Sequence, residues 1–270
     1  MKLGVSLRTD INPNLSYYAL CNLFADKSLT SLEVRYPRDF MSVDANHYIA
    51  VIEIIKSMFS PVITLHLPYD LMVRTESRTL QKMQLMLLLS HIRFAKKHGI
   101  DVIVMHPVFK YVVQTPAIYH RYIDAEYTKA LLVRVCSAVS LAKVKLTLET
   151  MPVRSTNIDY VEELVDIINV IPPKNRGITV DFAHLYLNDI PLSKFNNITY
   201  QIRNVHISGC VDGKDSHDFV TKSDMPIRPC IEWLESIGYE GPLIMELKNG
   251  STENELRSNT QFIHSLIRAT

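Results

Sequence analysis

Two hydrophobic periods alternate along this chain. Short runs rich in β-branched residues, such as Val62–His66 (VITLH), Asp101–His106 (DVIVMH) and Lys145–Glu149 (KLTLE), are apolar almost without interruption. Such runs suit parallel strands covered on both faces, because a strand with one wet face would alternate polar and apolar positions. Between them lie longer segments whose apolar residues recur every three or four positions, the spacing of a helix with one buried side. The pattern predicts strands over Lys2–Leu7, Ser31–Arg35, Val62–His66, Asp101–His106, Lys145–Glu149, Ile178–Asp181, Arg203–Ile207 and Leu243–Glu246. It predicts helices over Leu15–Ala25, Asp44–Met58, Arg78–His98, Ala125–Ala142, Asp159–Val170, Pro191–Asn196, Pro226–Ile237 and Glu253–Ile267.

Local chemistry marks the boundaries. Lys96, Lys97 and His98 put positive charge in a last helical turn, where unpaired carbonyls point, and Gly99 supplies the cap that follows. Gly238 ends the seventh helix in the same way, Pro172 and Pro173 stop the fifth, and Asn157 stands where an N-cap is needed. Eight strand–helix units in 270 residues match a (β/α)8 barrel, for which ~250 residues is typical. The competing doubly wound sheet needs a glycine-rich turn after its first strand, and Ser6–Asp10 (SLRTD) contains no glycine. No linker, composition break or low-complexity tract divides the chain. The expected fold is therefore α/β, a (β/α)8 TIM barrel forming a single domain over residues 1–270.

Composition narrows the function classes. Hydrophobic residues make up 47% and charged residues 21%, enough apolar surface for a packed core. Lys+Arg 29 against Asp+Glu 28 leaves a formal charge of +1, so no broad basic field invites nucleic acid. The longest apolar stretches, such as Met83–Leu89, fall far short of the ~20 residues that cross a bilayer. Arg8 and Asp10 stand where a signal peptide would need its apolar stretch. A cytoplasmic protein with no membrane partner is expected. Cys21, Cys136, Cys210 and Cys230 form no C-x-x-C pair and read as free thiols in a reducing compartment, with Cys210 as small apolar filler.

The chemistry sits where the strands stop. Parallel strands entering a barrel in one sense bring their C-terminal ends to one mouth. Those ends carry His66, His106, Glu149, Asp181, His206 and Glu246, while His184 follows Asp181 by one helical turn and Asp215 and His217 can reach over the rim. A lone strand-end histidine is more often structural, and a lone glutamate serves equally as a cap. Here five of the 10 histidines fall in one set. Carboxylates gathered in a mouth repel each other and lose hydration, a conflict that a bound cation resolves. Imidazole and carboxylate without thiolate suit zinc, manganese, iron or cobalt, and the sequence singles out none of them.

The ordered set H-L-P-Y at His66, M-H-P at His106, L-E-T at Glu149, V-D-F-A-H through Asp181 and His184, N-V-H-I-S at His206, D-S-H from Asp215 and I-M-E-L at Glu246 resembles the xylose isomerase-like TIM-barrel superfamily. That group holds sugar isomerases and epimerases, and also the endonuclease IV enzymes of DNA repair. The resemblance covers nearly the whole chain and is specific at superfamily level. On the isomerase side it implies a site of Glu149, Asp181, His206 and Glu246 around one divalent ion (zinc, manganese or cobalt), with a small-molecule sugar as partner. Glu149 and Glu246 would exchange protons with the sugar from opposite walls, His184 would hydrogen-bond it, and His66 and His106 would line the pocket. On the endonuclease IV side all nine positions, His66, His106, Glu149, Asp181, His184, His206, Asp215, His217 and Glu246, match residues that hold three zinc ions. DNA would then be the partner, and Tyr69 would stand in a DNA-penetrating loop.

Departures weigh on both readings. Tyr69-Asp70-Leu71-Met72 replaces the nuclease Y-L-I-N and sets an acid towards phosphate. Val108 follows Pro107 where the nuclease has glycine, and Ile207-Ser208-Gly209-Cys210 replaces its N-D-S-K run. Arg35, Arg38, Arg74 and Arg78 offer a local basic rim, although solvated charges are their plainer reading. On the isomerase side, Asp218-Phe219-Val220-Thr221 stands where glycines are common. Asn249-Gly250-Ser251-Thr252 is a candidate anion site at the last helix, and so a handle for a phosphorylated sugar. The isomerase or epimerase reading ranks first and the abasic-site nuclease second. A barrel that binds metal and a small ligand without turnover comes third, because the acid/base pair is intact. Relatives of this type associate as dimers or tetramers, so a homo-oligomer is compatible with the sequence, which shows only ordinary apolar helix faces.

Overall fold

Order along the chain is β1 (Lys2–Arg8), α1 (Tyr17–Ala25), β2 (Ser31–Arg35), α2 (Val43–Phe59), β3 (Val62–His66), α3 (Arg78–Lys97), β4 (Val102–Met105), β5 (Phe109–Thr115), β6 (Ile118–Ile123) and α4 (Ala125–Ala142). It continues with β7 (Lys145–Glu149), α5 (Tyr160–Ile168), β8 (Arg176–Asp181), α6 (Phe182–Leu187), β9 (Ile202–Ile207), β10 (Gly209–Val211), β11 (Lys214–Asp218), α7 (Ile227–Ser236), β12 (Pro242–Met245) and α8 (Glu253–Ile267). The structure is a computed structural model and describes residues 1–8, 17–35, 43–68, 73–115, 118–152, 160–247 and 252–267.

Eight strands close into a parallel barrel in the order β1, β2, β3, β4, β7, β8, β9, β12, and β12 pairs back onto β1 with Lys2 opposite Pro242 and Val5 opposite Met245. These are the eight predicted strands, so the apolar-run reading holds around the whole ring. The (β/α)8 expectation is met. Alternation along each strand sends one set of side chains into the lumen and the other under the helices. In β2, Leu32 and Val34 belong to the continuous apolar core, while Glu33 between them bonds to Thr64 of β3 and Asn204 of β9 across the lumen. Strands approach so closely at Gly4 that a Cβ there would lie 2.6 Å from both Cβ and O of Ser31.

Helix ends follow the predicted chemistry where they are described. Ser77 accepts from Leu80 N at the start of α3, His98 ends it, and Gly99 takes φ 60°. Gly238 after α7 takes φ 64°. Asn157, Arg38, Tyr69–Met72 and Asn249–Ser251 lie outside the described residues. No helix among the described residues is long and apolar enough to cross a membrane. The four cysteines are free, and burial pushes the Cys210 thiol up to about 12, in keeping with filler.

Three elements correct the sequence reading. The helix after β8 is α6, directly at the strand end, and the segment predicted as Pro191–Asn196 is a 3-10 stretch, Leu192–Gln201. The Asp181 side chain accepts from His184 N at 2.9 Å and so nucleates α6 earlier than its short apolar pattern suggests. Two antiparallel hairpins, β5–β6 and β10–β11, were not predicted; they extend from the barrel on the mouth side, after β4 and β9. A tally of eight strand–helix units leaves no place for such excursions, although Tyr111, Val112 and Val113 carry strand propensity.

Candidate metal centre

Glu149, at the end of β7, is the hub of the mouth. Its Oε2 lies 3.1 Å from His66 Nε2 and 3.0 Å from His106 Nε2. Its Oε1 lies 3.3 Å from His206 Nδ1 and 3.6 Å from His184 Nδ1. Glu246, just past β12, sets Oε1 3.6 Å from His206 Nδ1 and 3.9 Å from His66 Nε2, and accepts from Arg35 Nη2. Asp181 Oδ2 lies 3.9 Å from His206 Nδ1 and 3.8 Å from His184 Nδ1. Donor atoms of Glu149, Asp181, His206 and Glu246 all fall within 4.8 Å of one another, and so do those of His66, His106 and Glu149. A third such group is Glu33, His66, His206 and Glu246.

The outer predicted residues reach the same mouth. His184 Nε2 is 3.1 Å from Asp215 Oδ2, which is 3.5 Å from His217 Nε2. His217 Nδ1 in turn is 3.6 Å from Glu246 Oε2. All nine strand-end and rim residues named from the sequence are thus brought together; Tyr69 lies outside the described residues.

Electrostatics here is unbalanced. Glu33, Glu149, Asp181 and Glu246 are each at most 4% exposed, so water screens none of their charges. His66 Nδ1–H donates to Leu67 O at 2.8 Å, which turns the other ring nitrogen towards Glu149. His184 repeats the arrangement, with Nδ1–H donating to Thr150 O at 2.6 Å and Nε2 facing Asp215. A bare nitrogen lone pair against a carboxylate is repulsive, so something positive must sit between each pair. At His184 a second ring proton fills that role. Burial opposes a charged His184, but Asp181, Asp215 and Glu149 outweigh it and hold the ring at about 10. Burial likewise opposes a charged His206, and Glu33, Glu246 and Glu149 carry it well above the ordinary value. At His106 burial prevails over Glu149 and drops the ring to about 4. Burial raises the Glu149 and Glu246 carboxyls, yet His106 and His206 for the first, and Arg35 and His206 for the second, pull both well below the usual range.

Asp181 supplies the test of fit for a cation. Burial, reinforced by Glu149 and Glu246, raises its carboxyl against the pull of His184. Among the described residues Oδ2 has no hydrogen bond, although it is buried. A buried, unpartnered carboxylate oxygen within a set of imidazole and carboxylate donors fits a divalent ion well.

Two site residues escaped the sequence reading. Glu33 accepts from His206 Nε2 at 2.9 Å, and its signal was a charge between Leu32 and Val34 in an otherwise core strand. Arg35, read as a solvated or DNA-facing rim charge, is instead paired with Glu246. Arg74 is paired with Asp124 at 3.0 Å and with Glu76 at 2.7 Å.

Known proteins can now be set beside this geometry. The chain is 26% identical over 203 residues to an uncharacterized protein of Methanocaldococcus jannaschii, a match covering 72% of this chain and 67% of that one. Its structure superposes on that of an IolI protein with a bound zinc atom at TM-score 0.73 and 15% identity, covering 100% of this chain and 99% of the other. It superposes on D-psicose 3-epimerase from Clostridium cellulolyticum H10, solved with D-tagatose, at TM-score 0.72 and 15% identity over 100% and 99% of the two chains. At such identities the superpositions speak for the fold. The sequence family described as xylose isomerase-like TIM barrel matches residues 50–266, from within α2 almost to the end of α8, and this chain belongs to it.

Proposed function

We propose that this protein is a divalent-metal-dependent isomerase or epimerase of a small sugar. One observation carries the reading: Glu149, Asp181, His206 and Glu246, from four different barrel strands or their ends, converge within 4.8 Å with too little positive charge among them. These four would hold the ion, with zinc, manganese and cobalt as candidates. Bound there, a divalent ion supplies Lewis acidity, which makes a C–H beside a sugar carbonyl acidic enough to ionise. The superposed zinc-bound IolI protein and D-psicose 3-epimerase support the choice of ion and of substrate class.

The remaining work falls to this chain's own side chains. Glu149 and Glu246 both stand beside His66 and His206, and each has a further partner, His106 for the first and Arg35 for the second. One carboxylate takes the proton from the sugar carbon and the other returns a proton, so the pair serves as base and acid. His184 stands beside Glu149, with Nδ1 3.6 Å from Oε1, and would hydrogen-bond a sugar hydroxyl, while His66 and His106 would line the pocket.

The test is incubation of the metal-loaded protein with ketopentoses and ketohexoses in heavy water. Interconversion with deuterium entering at the carbon beside the carbonyl is expected. Absence of exchange with every ketose and aldose tried, under zinc, manganese and cobalt alike, would overturn the proposal.

One observation favours a second reading, an abasic-site endonuclease of the endonuclease IV type. His66, His106 and Glu149 form a donor group of their own, and His184, Asp215 and His217 stand beside it, as a three-zinc centre needs. Against it, Arg35 and Arg74 are spent in ion pairs rather than facing a phosphate backbone. Three tightly held zinc ions per chain together with nicking of abasic-site duplex would put this reading first.

A further inference from the structure

We propose that Glu33 is a positioning residue of this centre, holding His206 so that Nδ1 faces Glu149, Asp181 and Glu246 while Nε2–H is anchored behind. The inference rests on the reading of His206 as a metal ligand and adds a residue from β2, a strand that contributes none of the nine mouth residues. Glu33 is 0% exposed and lies one layer below the mouth. Its Oε2 accepts from three sides: His206 Nε2 at 2.9 Å, Thr64 Oγ1 at 3.0 Å and Asn204 Nδ2 at 3.1 Å. Its Oε1 accepts from Ser6 Oγ at 3.3 Å. Four donors from three strands over-determine where the carboxylate sits, so it is a fixed post rather than a mobile acid.

A ring held at Nε2 has one consequence at its other nitrogen. Two groups meet Nε2 at 2.9 Å, the acceptor Glu33 Oε2 and the donor Asn204 Nδ2. With Asn204 donating to Glu33 Oε2 at 3.1 Å, Nε2 gives its proton to the same oxygen, so a neutral His206 presents a bare Nδ1, the atom turned towards the carboxylates. A carboxylate behind a ligating imidazole also makes the ligand more basic. The support reaches a second ligand as well. Ser6 Oγ, which donates to Glu33, accepts from Arg35 Nε at 3.2 Å, and Arg35 Nη2 donates to Glu246. His206 and Glu246, on neighbouring strands in front, are therefore tied together at the back through Glu33, Ser6 and Arg35.

The experiment compares wild type with Glu33→Gln, which keeps shape and an acceptor oxygen while removing the charge. Two quantities are read on the full chain: zinc affinity by competition with a chromophoric chelator, and the nitrogen-15-coupled proton line of His206 Nε2–H, identified by its loss in His206→Ala. Wild type is expected to show that line far downfield, and Glu33→Gln to shift it upfield with zinc affinity falling 10–100-fold. A thermal melt in chelator confirms that the variant is folded; if Gln fails to fold, Glu33→Asp is measured instead, which keeps the charge but shortens the reach. Zinc affinity within twofold of wild type, with the Nε2–H line unmoved, would overturn the role. Should the wild type bind no divalent ion, the metal reading itself falls. The proton line then decides the Glu33 contact by itself, since its absence in the wild type refutes that contact and its shift in the variant upholds it.

Discussion

Replacing Asp181 by asparagine separates what the buried carboxylate costs from what it is for. Asparagine keeps an oxygen for the 2.9 Å bond from His184 N that starts α6. It replaces Oδ2, which is buried and without a hydrogen bond among the described residues, by an NH2 that can donate to the facing carboxylates. A buried polar atom left unpaired costs about 1–3 kcal/mol, so the metal-free variant should be more stable than wild type by that order. Asp181 titrates above its ordinary 3.8 in the folded chain. Wild type therefore loses stability relative to the variant as pH rises from that value, and the advantage of asparagine is complete only above the raised pKa. For a chain of this size 1 kcal/mol moves the melting point by roughly 2–4 °C. Metal reverses the order. An ion at a thousandfold excess over its Kd adds about 4 kcal/mol to the wild type, and a hundredfold weaker site forfeits about 2.7 kcal/mol of that. Differential scanning calorimetry at neutral pH should show the variant melting above wild type in chelator and below it in saturating zinc. A variant that melts lower under both conditions would refute the reasoning, because the carboxylate would then be satisfied by the protein alone.

Other expectations are independent of that crossing. Glu149→Gln should preserve fold and slow proton exchange at the sugar carbon by roughly 10²–10⁴-fold; retained turnover would remove Glu149 from the acid/base pair. His206→Ala should weaken zinc binding, measured by chelator competition, and unchanged occupancy would make the ring merely structural. Gly4→Ala would force a Cβ to 2.6 Å from Ser31 backbone and 2.7 Å from Ile244 Cδ1, so denaturant melts should register a loss of about 1–3 kcal/mol. His91, fully buried in α3 with Nδ1–H donating to Leu87 O at 2.7 Å, is depressed by burial to about 4. The unfolded chain takes that proton first, so stability should fall by about 3 kcal/mol as pH drops from 6.5 to 4. His91→Gln should flatten this part of the pH profile, and an equal slope in both proteins would show that the ring is not held neutral.

Much of this architecture was legible because parallel barrel strands are buried on both faces and announce themselves as unbroken apolar runs. Ile63, Val104 and Leu148 are core by burial and were core by pattern. The mouth residues were legible for a related reason: a strand that stops on histidine or a carboxylate breaks its own apolar run. Glu33 obeyed neither rule. It sits inside its strand, two residues before the end, and only lateral contacts with Thr64, Asn204 and His206 reveal its use. Such contacts depend on register between strands far apart in sequence, which periodicity does not encode. Arg35 was misjudged for the same reason, since its partner lies 211 positions away. The hairpin β5–β6 was invisible to a tally of units, because it interrupts one βα connection without altering the alternation around it.

The seam between β12 and β1 decides when this centre comes into being. Glu246 reaches the mouth only after Leu243 and Met245 have docked beside Leu3 and Val5. Growth from the ribosome delivers that carboxylate after Glu149, Asp181 and His206. Earlier nascent lengths can gather Glu149, Asp181 and His206 but lack the fourth wall. On the proposed metal reading, capture of an ion at full strength would await ring closure, and a circular permutant cut between α7 and β12 would reverse that timing.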